Sequence, residues 1–187
     1  MAIREDYLLR EMEESDLELV LHWRNSERIR ASMYTDKIIS WEDHCAWFSR
    51  MRENNGIDYR IFEYLGRPIG LVNFTGIDRE NRKCHWGFYL GETDVPRGIG
   101  TVMGYLGLEY AFESLLLRKI CGEAFSFNQA SINYHKRLGF REEGLFVKHI
   151  LKSGNYEDVV SFALFQDEWI KIKGDLEKMV FREGSSV

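Results

Sequence analysis

Asn128-Gln129-Ala130-Ser131-Ile132-Asn133-Tyr134-His135-Lys136-Arg137-Leu138-Gly139-Phe140 decides the fold when read with Val95-Pro96-Arg97-Gly98-Ile99-Gly100-Thr101 upstream of it. The downstream stretch opens on Asn, a good helix N-cap, and closes on Gly-Phe, a helix stop. The upstream stretch is a turn with two glycines that opens another helix. Gly98 and Gly100 carry no side chain to keep a ligand off the backbone. The first N–H groups of the following helix are unpaired, and its dipole favours an anion there. The amides of Arg97, Gly98, Ile99, Gly100 and Thr101 are therefore a candidate pyrophosphate cradle. The spacing excludes two other phosphate loops. No Gly-Lys-Ser/Thr is present, and Met103 stands where the dinucleotide fingerprint needs a third Gly. A glycine-rich turn without a ligand remains the alternative reading of this stretch alone.

The 187 residues are enough for one domain with a core, expected over 1–181 with 182–187 as a flexible tail. Hydrophobic residues make up 44%, which argues against disorder in the body of the chain. There is no signal-peptide pattern and no long apolar run, so the expectation is a cytoplasmic protein with no membrane partner. A net charge of −5 speaks against nucleic acid as the main partner. Cys45, Cys84 and Cys121 are widely spaced with no ligand pattern, which reads as reduced thiols and no metal.

Apolar patterning gives a strand at Tyr7 to Met12 and then a helix to about Asn25, opened by Ser15-Asp16-Leu17-Glu18 as a capping box. A short helix covers Glu27 to Met33, and Ser40 caps another that runs to about Glu53. Tyr59 to Tyr64, Ile69 to Ile77 and Lys83 to Leu90 read as an antiparallel meander. Ile99 to Leu115 is helical, Lys119 to Phe125 a buried strand, and Asn128 to Leu138 a helix. Arg141 to Leu151 and Tyr156 to Phe165 make a hairpin, and Asp167 to Met179 a last helix.

The two opening stretches together resemble the acetyl-CoA site of the GCN5-related N-acetyltransferases (GNAT). That family's turn reads Gln/Arg-x-x-Gly-x-Gly/Ala; Val95 departs from it, which leaves the backbone cradle intact. The resemblance implies the GNAT fold, α/β in class (α+β), with a mostly antiparallel mixed sheet of about seven strands flanked by helices. It implies acetyl-CoA as cosubstrate, with Asn128 and Ser131 contacting it. A homodimer is also compatible with it. It further implies a Tyr seven residues after the Asn as proton donor to the departing sulfur. Here the seventh residue is His135, and Tyr134 precedes it. Helix neighbours point about 100° apart, so both cannot face the sulfur. The register favours His135, a competent donor near neutral pH, with Tyr134 as the alternative. Glu123 lies in an apolar strand among Cys121, Gly122, Ala124 and Phe125. A carboxylate there either takes a proton from the substrate amine or pairs with a neighbouring cation.

The N-terminal third carries His22-Trp23-Arg24-Asn25, Met33-Tyr34, Ile39-Ser40 and His44 with Trp47 and Phe48. This set resembles the PseH group, which acetylates the 4-amino group of a UDP-linked 4-amino-4,6-dideoxy sugar on the path to pseudaminic acid. The residue types suit such a nucleotide-sugar substrate. Arg24, Arg28 and Arg30 offer a patch for a diphosphate, and His44 can meet it too. Met33, Tyr34, Trp47 and Tyr89 can line the apolar edge of a 6-deoxy sugar, and Asn73 can hold a polar group. Ordinary roles stand beside these: Met33 and Trp47 as core, Arg24 as a helix-end charge, Arg28 and Arg30 as solvated surface. Other functions also stay open: a modifier of protein N-termini, a polyamine or aminoglycoside acetyltransferase, or an acetyl-CoA-binding module without catalysis.

Overall fold

The structure, a computed structural model, describes residues 3–181; the tail expected at 182–187 lies outside them. The elements are β1 (Tyr7–Glu11), α1 (Leu17–Asn25), α2 (Glu27–Arg30), α3 (Trp41–Arg52), β2 (Ile57–Tyr64), β3 (Arg67–Asp78), β4 (Lys83–Leu90), α4 (Ile99–Glu109), β5 (Lys119–Phe125), α5 (Gln129–Arg137), β6 (Arg141–Lys152), β7 (Asn155–Phe165) and α6 (Gln166–Val180). They form one seven-stranded sheet in the order β1-β2-β3-β4-β5-β7-β6. All pairings are antiparallel except β4 with β5. This is the mixed, mostly antiparallel sheet flanked by helices that the sequence led us to expect.

Two local expectations need correction. The turn before α1 is capped by Glu13 and Asp16, not by the Ser15–Glu18 box, and it is a 3-10 turn over Glu14–Asp16. The cause is Arg10, whose two terminal nitrogens each donate to the buried Asp16 carboxylate at 2.7 Å, while Asp16 also accepts the Glu13 amide at 2.8 Å. The long helix after the glycine turn stops being α-helical at Glu109 and widens into a π turn over Tyr110–Ser114. The widening begins at Tyr110, whose hydroxyl donates to Asp58 in β2 at 2.7 Å.

Alternate strand residues face opposite sides of the sheet, and each side has its own core. On one side Ile61 and Leu71 pack under α1–α3 with Met12, Val20, Trp23 and Phe48. On the other, Phe62, Val72, Phe74 and Trp86 pack with α4 and α6, including Met103, Leu106 and Trp169. The Ser40 hydroxyl accepts the Asp43 amide at 3.1 Å and so caps α3, a contact of about 1 kcal/mol.

The parallel pair is short, and this positions the site. β4 and β5 are in register only at Lys83 with Lys119, Cys84 with Ile120, and His85 with Cys121. Beyond that point β4 continues to Leu90 against β3, and β5 continues to Phe125 against β7. The sheet splits between them.

Candidate active site

A cavity of about 930 Å³ runs through this split and is lined by residues from both faces of the sheet. Its two arms differ in what they present.

The first arm lies between the opening turns of α4 and α5. Gly98 is the N-cap of α4 at φ 87°, a left-handed conformation that favours glycine. Gly100 lines the cavity, and a β-carbon built there would meet nothing closer than Leu90 Cδ1 at 3.7 Å. The space beside Gly100 is therefore open to a ligand and not filled by protein. At the start of α5, Asn128 Oδ1 accepts the Ser131 amide at 3.1 Å, and both residues line the cavity. Two helix N-termini thus open onto one space, as a pyrophosphate requires. The side chains of Ile99 and Thr101 are buried, at 2% and 8% exposure, and their amides donate to the Pro96 and Gly98 carbonyls at 3.3 and 2.9 Å. Arg97 is exposed and is not part of the wall.

The structure corrects the placement of His135. The side chain is 1% exposed and sits in the core, stacked on Phe162 at 4.7 Å. Nδ1–H donates to the Ser131 carbonyl at 2.8 Å, and Nε2 accepts from Trp86 Nε1–H at 3.1 Å. Both nitrogens are occupied, and burial pushes the pKa down to about 4. A neutral, satisfied imidazole without access to the cavity is no proton donor to a ligand. Tyr134 is the residue of the pair that lines the cavity. Its ring packs on Phe88 at 4.5 Å and its hydroxyl donates to the Gly100 carbonyl at 2.6 Å. Burial raises its pKa, so the phenol keeps its proton.

At the split itself stands Glu123, on the face of β5 that also carries Cys121. Its carboxylate accepts a hydrogen bond from the Tyr34 hydroxyl, and Oε1 lies 3.8 Å from His85 Nδ1. Burial and this carboxylate raise the Tyr34 pKa. Glu123 thus pairs with Tyr34 and His85; among the described residues no Arg or Lys forms a salt bridge with it.

The second arm lies under α1–α3. Arg24, Met33, Tyr34, His44, Trp47, Asn73 and Tyr89 all line it. Arg24 Nη2 donates to the Thr35 carbonyl at 3.0 Å, whereas Nη1 is buried with no partner among the described residues. Burial presses the Arg24 pKa down, and Arg30 adds to this. Arg28 reaches the cavity too, and its Nη2 is tied to the Leu90 and Gly91 carbonyls at 3.0 and 2.6 Å. Arg30 does not belong to the patch. It donates to the Asn25 and Asp36 carbonyls at 2.9 and 2.5 Å and holds the α2 loop. Burial depresses the His44 pKa, which disfavours the charged form for meeting a phosphate. Tyr59, Thr75 and His85 line the arm and were missed from sequence. Their signal was register, since Tyr59 faces Asn73, and Thr75 faces His85, across neighbouring strands.

The model of the acetyltransferase (GNAT) domain family matches residues 6–141. The chain belongs to the GNAT acetyltransferases. It is 29% identical over 123 residues to the putative ribosomal N-acetyltransferase YdaF of Bacillus subtilis, covering 66% of this chain and 67% of that one. It is 24% identical over 130 residues to the acetyltransferase PseH of Campylobacter jejuni, covering 70% and 80%. The crystal structure of Vibrio cholerae spermidine N-acetyltransferase with CoA and spermine superposes with a TM-score of 0.84 at 21% identity, covering 89% and 99%. The protein is an acetyl-CoA-dependent N-acetyltransferase of the GNAT type.

Among the described residues, no helix is long and apolar enough to cross a membrane, and no group of three or more metal-ligating side chains occurs.

Proposed function

We propose that this N-acetyltransferase acetylates the 4-amino group of a UDP-linked 4-amino-4,6-dideoxy sugar. The observation that carries this reading is the Arg24 guanidinium, with a buried, unpartnered nitrogen in the acceptor wall. Glu123 is the one carboxylate among the residues lining the cavity, against Arg24 and Arg28. Such a wall suits a diphosphate and repels a polyamine. Met33, Tyr34, Trp47 and Tyr89 supply an apolar surface for a deoxy sugar. The likeness to PseH supports the same reading.

Acetyl-CoA would be held by the amides of residues 97–101 and by Asn128 and Ser131, and it would supply the acetyl group as a thioester. Tyr134 Oη, turning its O–H from the Gly100 carbonyl, would give the proton to the departing sulfur. The Glu123 carboxylate, oriented by Tyr34, takes the proton from the amine. An acetyl-transfer assay against the UDP-4-amino sugar, a peptide with N-terminal Ser or Ala, and spermidine tests the reading. Turnover is expected with the nucleotide sugar at a kcat/KM well above the other two. Preference for the peptide or for spermidine would overturn it.

A further inference from the structure

Gly87 stands in the interior of β4, where glycine weakens a strand. The ladder to β3 is regular there: Val72 faces Phe88, Asn73 faces Gly87 and Phe74 faces Trp86. No bulge therefore accounts for the glycine. Asn73 does. A β-carbon built on Gly87 would collide with Asn73 Oδ1 and would stand 3.3 Å from Asn73 Cγ. The Asn73 carboxamide thus reaches across to β4 and occupies the place of the missing side chain. Both residues line the cavity.

That place is at the lip of the split. The last residues paired between β4 and β5 are His85 and Cys121. Gly87 and Glu123 each lie two residues further on, so they share a face and stand level across the gap. Asn73 Oδ1 therefore stands above one lip of the split, and the Glu123 carboxylate above the other. Of that carboxylate, Oε2 accepts from Tyr34, while Oε1 is the oxygen nearer His85.

We propose that Asn73 Oδ1 and Glu123 bracket the acceptor nitrogen, with Gly87 as the residue that positions Asn73. A neutral primary amine has two N–H groups and one lone pair. One N–H meets Glu123, which takes its proton. The other is accepted by Oδ1 and stays on nitrogen as the amide N–H of the product. The lone pair is left for the thioester carbon. The inference rests on the reading of Glu123 as the base, and not on which primary amine is the substrate.

Steady-state acetylation by the full chain tests it, using whichever of the UDP-4-amino sugar, the N-terminal Ser peptide and spermidine turns over fastest. Asn73→Ala should lower kcat by about two- to tenfold, the worth of one uncharged hydrogen bond, with the KM for acetyl-CoA unchanged. Gly87→Ala, whose methyl group displaces the carboxamide, should lower kcat by the same factor. The double variant should fall no further than either single one, because the methyl group then has room. Losses that multiply overturn the inference, since the methyl group would then meet the acceptor itself. A wild-type kcat in Asn73→Ala overturns it too, even with a raised acceptor KM, and decides the matter if Gly87→Ala fails to fold. Glu123→Gln separates this inference from the reading beneath it. A kcat within a few-fold of wild type there overturns the base and the bracket together. A loss of about 10²-fold or more there, beside an unchanged kcat in Asn73→Ala, overturns the bracket alone.

Discussion

On the α4–α5 side of the cavity the protein presents backbone: a left-handed Gly98, a bare Gly100 and the opening turns of two helices. On the α1–α3 side it presents side chains, drawn from α1, the loop after α2, α3 and three strands. Backbone recognition depends on local conformation, so two glycines and an Asn cap carry it, and Val95 in place of Gln or Arg leaves it standing. Side-chain recognition depends on which residues the fold brings together. On the reading proposed above, the first arm serves the cosubstrate that the family shares and the second sets what this member acetylates. A substitution in one arm should leave the other's ligand untouched, which gives the comparison a way to fail.

The largest expected effect is at the meeting point of the arms. Tyr134→Phe removes the phenol hydroxyl while keeping the ring on Phe88. General acid help is typically worth about 10²–10⁴-fold, so kcat should fall by that factor with the KM for acetyl-CoA nearly unchanged. A kcat within a few-fold of wild type would hand the proton to solvent. Gly100→Val makes the complementary test in the donor arm. Its Cβ meets no protein atom within 3.7 Å, so loss of acetyl-CoA binding with an intact fold would report crowding of the ligand itself.

Next in size is His135, which sequence placed in the donor arm and the structure places in the core. Its pKa is about 4 when folded, against an ordinary 6.5. The unfolded chain therefore takes up a proton from pH 6.5 downward while the native state does not. Stability from this group is whole above pH 6.5, declines as pH falls toward 4, and is level below that. The full difference is about 3 kcal/mol. Urea unfolding of His135→Phe across pH 7 to 4 should show a shallower decline than wild type. At pH 7 the variant should itself be less stable by about 1–3 kcal/mol, because Trp86 Nε1–H loses its acceptor. Equal pH slopes would mean that the imidazole takes up its proton at the same pH in the native and unfolded states.

How far the sequence could be read follows from the same contrast. The bounds of β4 and β5 came directly from apolar patterning, and so did the Asn128 cap and the Gly139 stop. The donor cradle was legible because it is local. The choice of His135 over Tyr134 failed because counting from the cap ignores which helix face is buried. The signal was present: Ile132, His135 and Leu138 are three apart, an apolar stripe with a histidine in it. In the acceptor arm the residue types were found, but Arg30 and His44 were given the wrong chemistry. Arg30 is captured by the carbonyls of its own loop, and burial lowers the His44 pKa, and neither fact is visible without the packing.

Arg24→Ala sharpens the comparison from the acceptor side. A charge-assisted contact to phosphate is worth about 1.5–3 kcal/mol, so kcat/KM for the nucleotide sugar should drop by roughly ten- to a hundredfold. The KM for acetyl-CoA should hold. A change in the acetyl-CoA constant instead would mean that the two arms are not separate.

The smallest effect is expected from Lys152, at the end of β6, which supports the loop after α2 from outside the cavity wall. Its side chain is 10% exposed, and Nζ donates to the Met33 carbonyl at 2.8 Å and the Arg30 carbonyl at 3.3 Å. The same ammonium stands 5.6 Å over the Phe125 ring, against which Tyr34 packs edge-on at 5.4 Å. Ser153 adds a hydroxyl bond to Asp36 at 3.1 Å. The loop after α2, which carries Met33, Tyr34, Thr35 and Ile39 into the acceptor wall, is thus held to the β6–β7 hairpin by one buried cation. Lys152→Met keeps the apolar stem and deletes the donor. The loop then keeps its contacts through Tyr34 and Asp36 but loses the bonds that fix its backbone. The KM for the acceptor should rise by a few-fold, with kcat and the acetyl-CoA constant nearly unchanged, because the lost bonds act on the position of the wall and not on the reacting atoms. Hydrogen exchange at residues 31–39 should quicken in the variant while the amides of β5 stay protected. If exchange quickens and the KM for the acceptor stays put, the loop is cover and not wall, and Met33 and Tyr34 leave the acceptor arm.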